Sequence, residues 1–343
     1  MIYKPGDIRV VERPVPRPGP DEVLVRVAMC GTCGTDLKIL DGHFPLTPPE
    51  LIPGHEWAGT VVAVGATVDE FAPGDRVCIE AHSGCGRCDN CLAGRYTACL
   101  NYGNTAKGHR ASGMSANGGF AEYALHHVSA LYRLPPELTW EDAVLITTAG
   151  TGLYAIDVAG GYVAGLNVAV FGPGPVGLTT VQALKALGAG QVILAGTRPS
   201  RLELGKRLGA DHVINVTDTD PVQAILDLTD GAGADWTIEC SGALAAPQYC
   251  AEATKRGGKI VVVAFYPDRV TFDLSAVVRK DISIFTSRGE GGNNVKRAVS
   301  LAAAGKLRGA EMVTHHVPLD DIAEAFRIVR ERDGDPLKVV VVP

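Results

Sequence analysis

Four cysteines stand in the spacing Cys85-x2-Cys88-x2-Cys91-x7-Cys99, the strongest chemical signal in the chain. Four thiolates in one loop, with Gly84, Gly86 and Gly94 to allow tight bends, suit tetrahedral zinc. An all-cysteine set leaves no open position, so this site reads as closed and structural. A zinc ribbon for nucleic acid would need a basic surface, and an iron–sulfur cluster a redox chain; neither has support. Further upstream, Cys30-Gly-Thr-Cys33-Gly-Thr-Asp36 and Gly54-His55-Glu56 offer thiol, imidazole and carboxylate beside glycines. Such a trio can hold zinc with room left for a substrate. Spacing alone equally allows a buried cysteine and a surface histidine.

The third signal is Val168-Ala-Val-Phe-Gly172-Pro-Gly174-Pro175-Val176-Gly177, an apolar strand running through a G-x-G-x-x-G turn into a helix. Gly172 permits the turn, Gly174 lets the backbone approach a pyrophosphate, and Gly177 lets helix and strand pack closely. The helix that Pro175 and Val176 open presents free N–H groups to the phosphates. At the end of the next strand a carboxylate normally receives the ribose 2′-OH of NAD. Here that place holds Gly196, followed by Thr197 and Arg198. Without the carboxylate a 2′-phosphate is not repelled, and Arg198, with Arg201, can bind one, so NADP(H) is expected over NAD(H).

These residues need elements to position them. Short β-branched stretches, Glu22–Ala28, Gly59–Val64 and Asp75–Glu80, separated by Pro/Gly turns, predict irregular β-structure in the first third. From about residue 150 apolar strands alternate with helical stretches: Asn167–Phe171, Gln191–Ala195, His212–Asn215, Asp235–Glu239 and Lys259–Ala264. That alternation predicts βαβ units and a parallel sheet buried on both faces. The tail holds two helical stretches and a last strand, Lys338–Val342, expected to return to the first domain. The fold class is therefore α/β, with a β-rich domain beside a doubly wound one.

With 343 residues the chain can build two cores, and 46% apolar and 20% charged residues are ordinary for a globular protein. A net charge of −6 without a basic block predicts no nucleic-acid or anionic-membrane partner. No apolar run approaches the ~20 residues of a spanning helix, and residues 1–20 lack the apolar stretch of a signal peptide. The chain is expected in the cytoplasm, where nine cysteines point to metal or catalysis before disulfides.

Taken in order, Cys33-Gly-Thr-Asp36, Gly54-His-Glu56, Pro73-Gly-Asp-Arg-Val77, the four-cysteine lobe, Gly118-Gly-Phe-Ala-Glu-Tyr123 and Gly172-Pro-Gly-Pro-Val-Gly177 span almost the whole chain. The set resembles the zinc-containing medium-chain dehydrogenase/reductase family, in the branch of polyol, threonine and related alcohol dehydrogenases. The resemblance implies a GroES-like catalytic domain over residues 1–149, completed by 290–343, and a Rossmann cofactor domain over 150–289, with the active site in the cleft between them. It implies that Cys33 and His55 are catalytic zinc ligands and that Glu56 sits beside the metal or ligates it. Thr35 then passes on the alcohol proton, and Asp36 orients the metal site. It also assigns the four lobe cysteines to structural zinc, and it implies a homodimer or homotetramer acting on a small alcohol or carbonyl compound.

Two positions depart from the family pattern. The third zinc ligand falls on or near Thr147, whose neutral hydroxyl is a poor ligand, and Lys38 replaces a histidine that finishes the proton relay. His43, Phe44, Trp57, Arg288 and Glu290 are candidates to line the pocket. A zinc-free NADPH reductase of activated alkenes or quinones, and a nucleotide-binding protein without turnover, are the competing expectations.

Overall fold

Val23, Val25 and Val27 alternate with Leu24, Arg26 and Ala28, and the three valines point into the core with 0–4% exposure. This strand, Glu22–Gly31, is the axis of the first sheet in the computed structural model, which describes residues 1–44 and 46–343. One edge pairs antiparallel with Glu56–Val64. The other pairs antiparallel with Tyr123–His127 near its start and with Lys338–Val342 near its end. Val313–Pro318 lies outside the last strand, and Arg76–Ile79 and Leu131–Arg133 continue the sheet on the far side of Glu56–Val64. The expected strands at 59–64 and 75–80 are thus present, the first extended back to Glu56. The C-terminal strand joins this sheet because Val339, Val340 and Val341 need a covered face; each is at most 1% exposed.

Residues Met1–Gly150 and Gly289–Pro343 form this unit, and Thr151–Arg288 form a second. The second unit holds a six-stranded parallel sheet in the order His212–Asn215, Gln191–Gly196, Asn167–Phe171, Ala234–Glu239, Thr254–Val262, Ser283–Thr286. Val168, Ala169, Val170, Val192, Ile193 and Leu194 show no exposure, as strands covered on both faces require. The order reverses at Asn167–Phe171, whose neighbours are the second and fourth strands in chain order. A dinucleotide fold places its ligand at such a switch, beyond the strand ends. The edge strand Ser283–Thr286 is invisible to pattern reading, being four residues long and mostly exposed. No helix among the described residues is long and apolar enough to cross a membrane.

Candidate active site and metal centres

Cys33 stands in extended conformation (φ −130°, ψ 156°) immediately before the helix Gly34–Leu40. The Cys33 N–H donates to Asp36 Oδ2 at 2.8 Å, so the third helical residue caps the first turn. The other oxygen, Asp36 Oδ1, accepts from the Gly54 N–H at 3.2 Å and lies 3.4 Å from His55 Nδ1. Asp36, 1% exposed, thereby ties the Cys33 loop to the Gly54-His55-Glu56 segment. Gly54 is required there: at φ +93° a Cβ would stand 2.7 Å from Cys30 Sγ and 2.9 Å from the Phe120 nitrogen. Burial by itself lowers the His55 pKa, but the Asp36 carboxylate outweighs it and holds the pKa well above the ordinary value.

Ligand atoms of Cys33, His55 and Glu56 all lie within 4.8 Å of one another, a group of three that could hold a metal ion. The Cys33 thiol lies 3.8 Å from Thr35 Oγ1. Lys38, one turn further on, is exposed. Glu56 is 5% exposed and both its oxygens are engaged. Thr148 Oγ1 donates to Oε1 at 2.9 Å, and the Lys338 ammonium pairs with Oε2. Lys338, only 2% exposed, also donates to the Thr32 carbonyl at 3.1 Å. Burial lowers the Lys338 pKa, yet the Glu56 charge more than compensates and raises it.

Sequence reasoning missed Lys338 and Thr148. The lysine stands hundreds of residues from the motifs, inside what reads only as a β-strand. Thr147, where the third ligand was expected, donates its hydroxyl to the Ile79 carbonyl at 2.7 Å, and its neighbour Thr148 meets the cluster instead. Of the pocket candidates, Trp57 belongs to the core: it is 1% exposed and its Nε1 donates to Ser112 Oγ at 3.0 Å. Phe44 packs half-buried against the same core, and His43 and Arg288 are exposed. Glu290 is buried with its Oε2 3.3 Å from His82 Nδ1.

The four cysteines of the lobe form the second group whose ligand atoms lie within 4.8 Å of one another. Cys85 and Cys91 sulfurs are 3.9 Å apart, and Cys88 and Cys99 sulfurs 3.8 Å. Tetrahedral zinc with Zn–S near 2.3 Å puts sulfurs about 3.8 Å apart, so the spacing fits that ion. Backbone N–H groups of Leu100 and Asn101 approach the Cys88 and Cys99 sulfurs at 3.4 Å, and Asn101 Nδ2 donates to Cys85 Sγ at 3.2 Å. Donors aimed at sulfur favour thiolates, and the Asn101 amide with the Arg87 N–H lowers the Cys85 pKa. At Gly84 a Cβ would stand 2.7 Å from Cys91 Sγ, which explains one of the glycines in the loop.

In the second unit the glycine turn is as tight as its sequence requires. Gly172 has φ +106°, and a Cβ there would lie 2.7 Å from Ser241 Cα. At Gly177 a Cβ would come within 1.9 Å of the Gly172 carbonyl. At Gly174 no atom lies within 4 Å of that place, which leaves open backbone for a ligand. Gly174 caps the helix Pro175–Ala186, with Pro175 in its first turn, and the Val176 carbonyl accepts from Thr180 Oγ1 at 2.7 Å. The turn therefore fits a pyrophosphate by its own geometry. Gly196 is buried at the end of the neighbouring strand, Thr197 is exposed, and Arg198 caps the helix Pro199–Arg207, with Arg201 in its first turn. Opposite Gly172, the buried Glu239 fixes the 241–242 turn by accepting from the Ser241 N–H at 2.7 Å and the Gly242 N–H at 3.1 Å.

Beside the cysteine lobe lies a buried polar network. Glu80, 3% exposed, accepts from the Tyr132 hydroxyl at 2.6 Å and from the Tyr96 hydroxyl. Burial, reinforced by the Glu290 charge, raises its pKa from 4.5 to about 7, although both hydroxyl bonds pull the other way. A raised carboxyl pKa means that the folded state keeps this proton longer than the unfolded chain. Its stabilising contribution is complete at low pH and is lost as pH rises from about 4.5 to about 7. Glu80→Gln should therefore flatten the fall in melting temperature between pH 5 and pH 7.5. Parallel curves for the two proteins would assign the fall to another group.

The sequence matches the family description "Alcohol dehydrogenase GroES-like domain" over residues 19–136 and "Zinc-binding dehydrogenase" over residues 175–304. It is 35% identical to L-threonine 3-dehydrogenase of Pyrococcus horikoshii over 339 residues, 96% of this chain and 94% of that protein. It is 31% identical to sorbitol dehydrogenase of Bacillus subtilis over 348 residues, 100% of this chain and 96% of that one. Among solved structures, a protein of Sinorhizobium meliloti 1021 assigned as a zinc-binding dehydrogenase and bound to NADP superposes with TM-score 0.91. That match has 32% identity and covers 99% of this chain and 97% of the other. The chain belongs to the zinc-containing medium-chain dehydrogenase/reductase family and is an oxidoreductase of the alcohol dehydrogenase class.

Proposed function

We propose that the protein moves hydride between NADP(H), preferred over NAD(H), and a secondary alcohol or its ketone, with a polyol, sugar alcohol or amino alcohol as substrate. The observation that carries this reading is the convergence of Cys33, His55 and Glu56 within 4.8 Å, with the Thr35 hydroxyl beside the thiol. Cys33, His55 and Glu56 hold a catalytic zinc in this reading, and Cys85, Cys88, Cys91 and Cys99 a structural one. Gly172, Gly174, Pro175, Val176 and Gly177 take the pyrophosphate. Gly196, Thr197, Arg198 and Arg201 receive the 2′-phosphate, since no carboxylate stands at the strand end to repel it.

When bound, zinc supplies Lewis acidity that lowers an alcohol's pKa, and the nicotinamide takes up the two electrons as hydride. The chain's residues do the rest. Asp36 Oδ1, 3.4 Å from His55 Nδ1, would orient the imidazole beside Cys33 and Glu56. Thr35 takes the substrate proton along its hydroxyl toward solvent, where Lys38 stands exposed. Lys338 balances the Glu56 charge, so the cluster can carry a carboxylate in a buried place. A vicinal diol or hydroxyketone suits a metal centre to which Thr147 contributes nothing, because two substrate oxygens can complete the coordination.

The proposed assembly is a homodimer or homotetramer in the cytoplasm, a reducing compartment that suits nine free cysteines. The edge strands of the parallel sheet are His212–Asn215 and Ser283–Thr286, and the second is the more exposed. Ile284 is 41% exposed there, and Val278 on the adjacent helix Leu274–Arg279 is 73% exposed; a second copy of the chain would cover them. Ile284→Lys should shift the light-scattering mass toward the monomer. A mass equal to the wild type's would place the interface elsewhere.

Zinc content per chain decides the metal assignment. Two equivalents in the wild type should fall to one in Cys33→Ser, with turnover lost and NADPH binding retained. One equivalent in both proteins, with turnover unchanged, would favour a zinc-free NADPH reductase, the reading to which Thr147 lends weight. Diols should be oxidised faster than matched mono-alcohols; the reverse order would remove the two-oxygen argument.

A further inference from the structure

Gly196, the last residue of its strand, stands beside Pro173, in the turn that follows the neighbouring parallel strand Asn167–Phe171. Phe171 is in register with Ala195, and the Gly172 N–H donates to the Ala195 carbonyl at 2.8 Å. On the other side the Val216 N–H donates to the Gly196 carbonyl at 2.9 Å. Gly172 and Gly196 are thus held by hydrogen bonds between the strand ends, and Pro173 follows Gly172 directly. A Cβ built at position 196 would lie 2.2 Å from Pro173 Cδ and 2.5 Å from its Cγ. Those ring atoms are closed onto the backbone, so no rotamer change moves them away, and the proline φ is fixed near −65°. Pro173 is also buried, so it has no free space to retreat into. Gly196, unlike Gly172, does not have a positive φ, so its backbone conformation does not require glycine. The neighbouring ring does.

This contact bears on the cofactor. Position 196 ends its strand, where a dinucleotide fold presents the carboxylate that receives a ribose diol. While a proline occupies position 173, no residue with a side chain fits there. We infer that Pro173 is the specificity-determining residue at the adenosine end of the site. It keeps position 196 a glycine, and so keeps a carboxylate away from the place that Arg198 and Arg201 share. This rests on the NADP(H) preference proposed above. Pro173 acts as a positioning residue, through the space it fills and not through a bond to the nucleotide. Cofactor choice in this chain is therefore a property of a pair, and changing position 196 alone cannot reverse it.

The experiment compares wild type, Gly196→Ala, Gly196→Asp, Pro173→Ala and the two double variants. Thermal melts are recorded without cofactor, and NADPH and NADH binding is followed by nicotinamide fluorescence without turnover. Gly196→Ala should lower the melting temperature by roughly 4–8 °C, and adding Pro173→Ala should restore most of the loss. Gly196→Asp should weaken both cofactors. Pro173→Ala with Gly196→Asp should bind NADH at least about tenfold more tightly than Gly196→Asp does, and should prefer it over NADPH. The inference is overturned if Gly196→Asp alone converts the preference at an unchanged melting temperature, or if the two substitutions simply add. A wild type that binds NADH more tightly than NADPH would overturn the cofactor preference instead, and the alanine melts would still decide the steric coupling.

Discussion

Glu56 and Lys338 come from chain positions 282 residues apart and meet inside the first sheet, where they are 5% and 2% exposed. Two charges so buried lose several kcal/mol of hydration each, and their attraction compensates only when the remaining lone pairs and protons are also satisfied. Here they are: Lys338 donates to the Thr32 carbonyl, and Thr148 donates to the other Glu56 oxygen. The pairing of three strands sets the meeting point. Gly31 is in register with Glu56 on one side and with Val340 on the other. It must be glycine, since a Cβ there would lie 2.8 Å from Glu56 Oε2 and 3.2 Å from Lys338 Cδ. Cys33 follows Gly31 by two residues and His55 precedes Glu56 by one, so a slip in this register would scatter the proposed catalytic group. Removing either charge would strand the other at a cost of about 3–5 kcal/mol.

Charge balance explains why the two metal-binding groups are built differently. In the lobe three of the cysteines are half-buried, backbone N–H groups approach the Cys88 and Cys99 sulfurs, and the Asn101 amide donates to Cys85. The Cys33, His55 and Glu56 group lies deeper and adds Asp36 as a further carboxylate. A buried cluster of that many potential anions needs local compensation, and Lys338 supplies the fixed part. The divalent ion of the proposed function would supply the remainder.

Chemistry set by local spacing was legible in the sequence. Gly54-His55-Glu56 and the glycine turn each lie within a few residues and the four cysteines between 85 and 99, so short chain segments bring each set close. The parallel sheet was legible too, because strands covered on both faces must be continuously apolar. Contacts between distant segments were not. Lys338 reads as the polar start of a valine-rich strand, and nothing local says that its ammonium turns inward. Thr147 and Thr148 are both neutral hydroxyls at a helix start, and only the fold decides that the first donates to Ile79 and the second to Glu56. That Glu290 meets His82, 208 residues away in the chain, likewise has no local signal. The strand Ser283–Thr286 gave no pattern because its side chains are mostly exposed.

The helix that begins at Ile146 holds the place of the third metal ligand. Thr147 is 2% exposed and hydrogen-bonded to the strand Arg76–Ile79, which anchors the first turn of that helix. Anchored so, the turn presents Thr148, a donor, to a carboxylate that already has a lysine on its other oxygen. A donor in that position, with Lys338 on the other oxygen, fixes the plane of the Glu56 carboxyl group. A carboxylate at residue 148 would instead repel it in a low-dielectric setting. What this segment gives up as a metal donor, it returns as a hydrogen bond to the carboxylate beside the cluster.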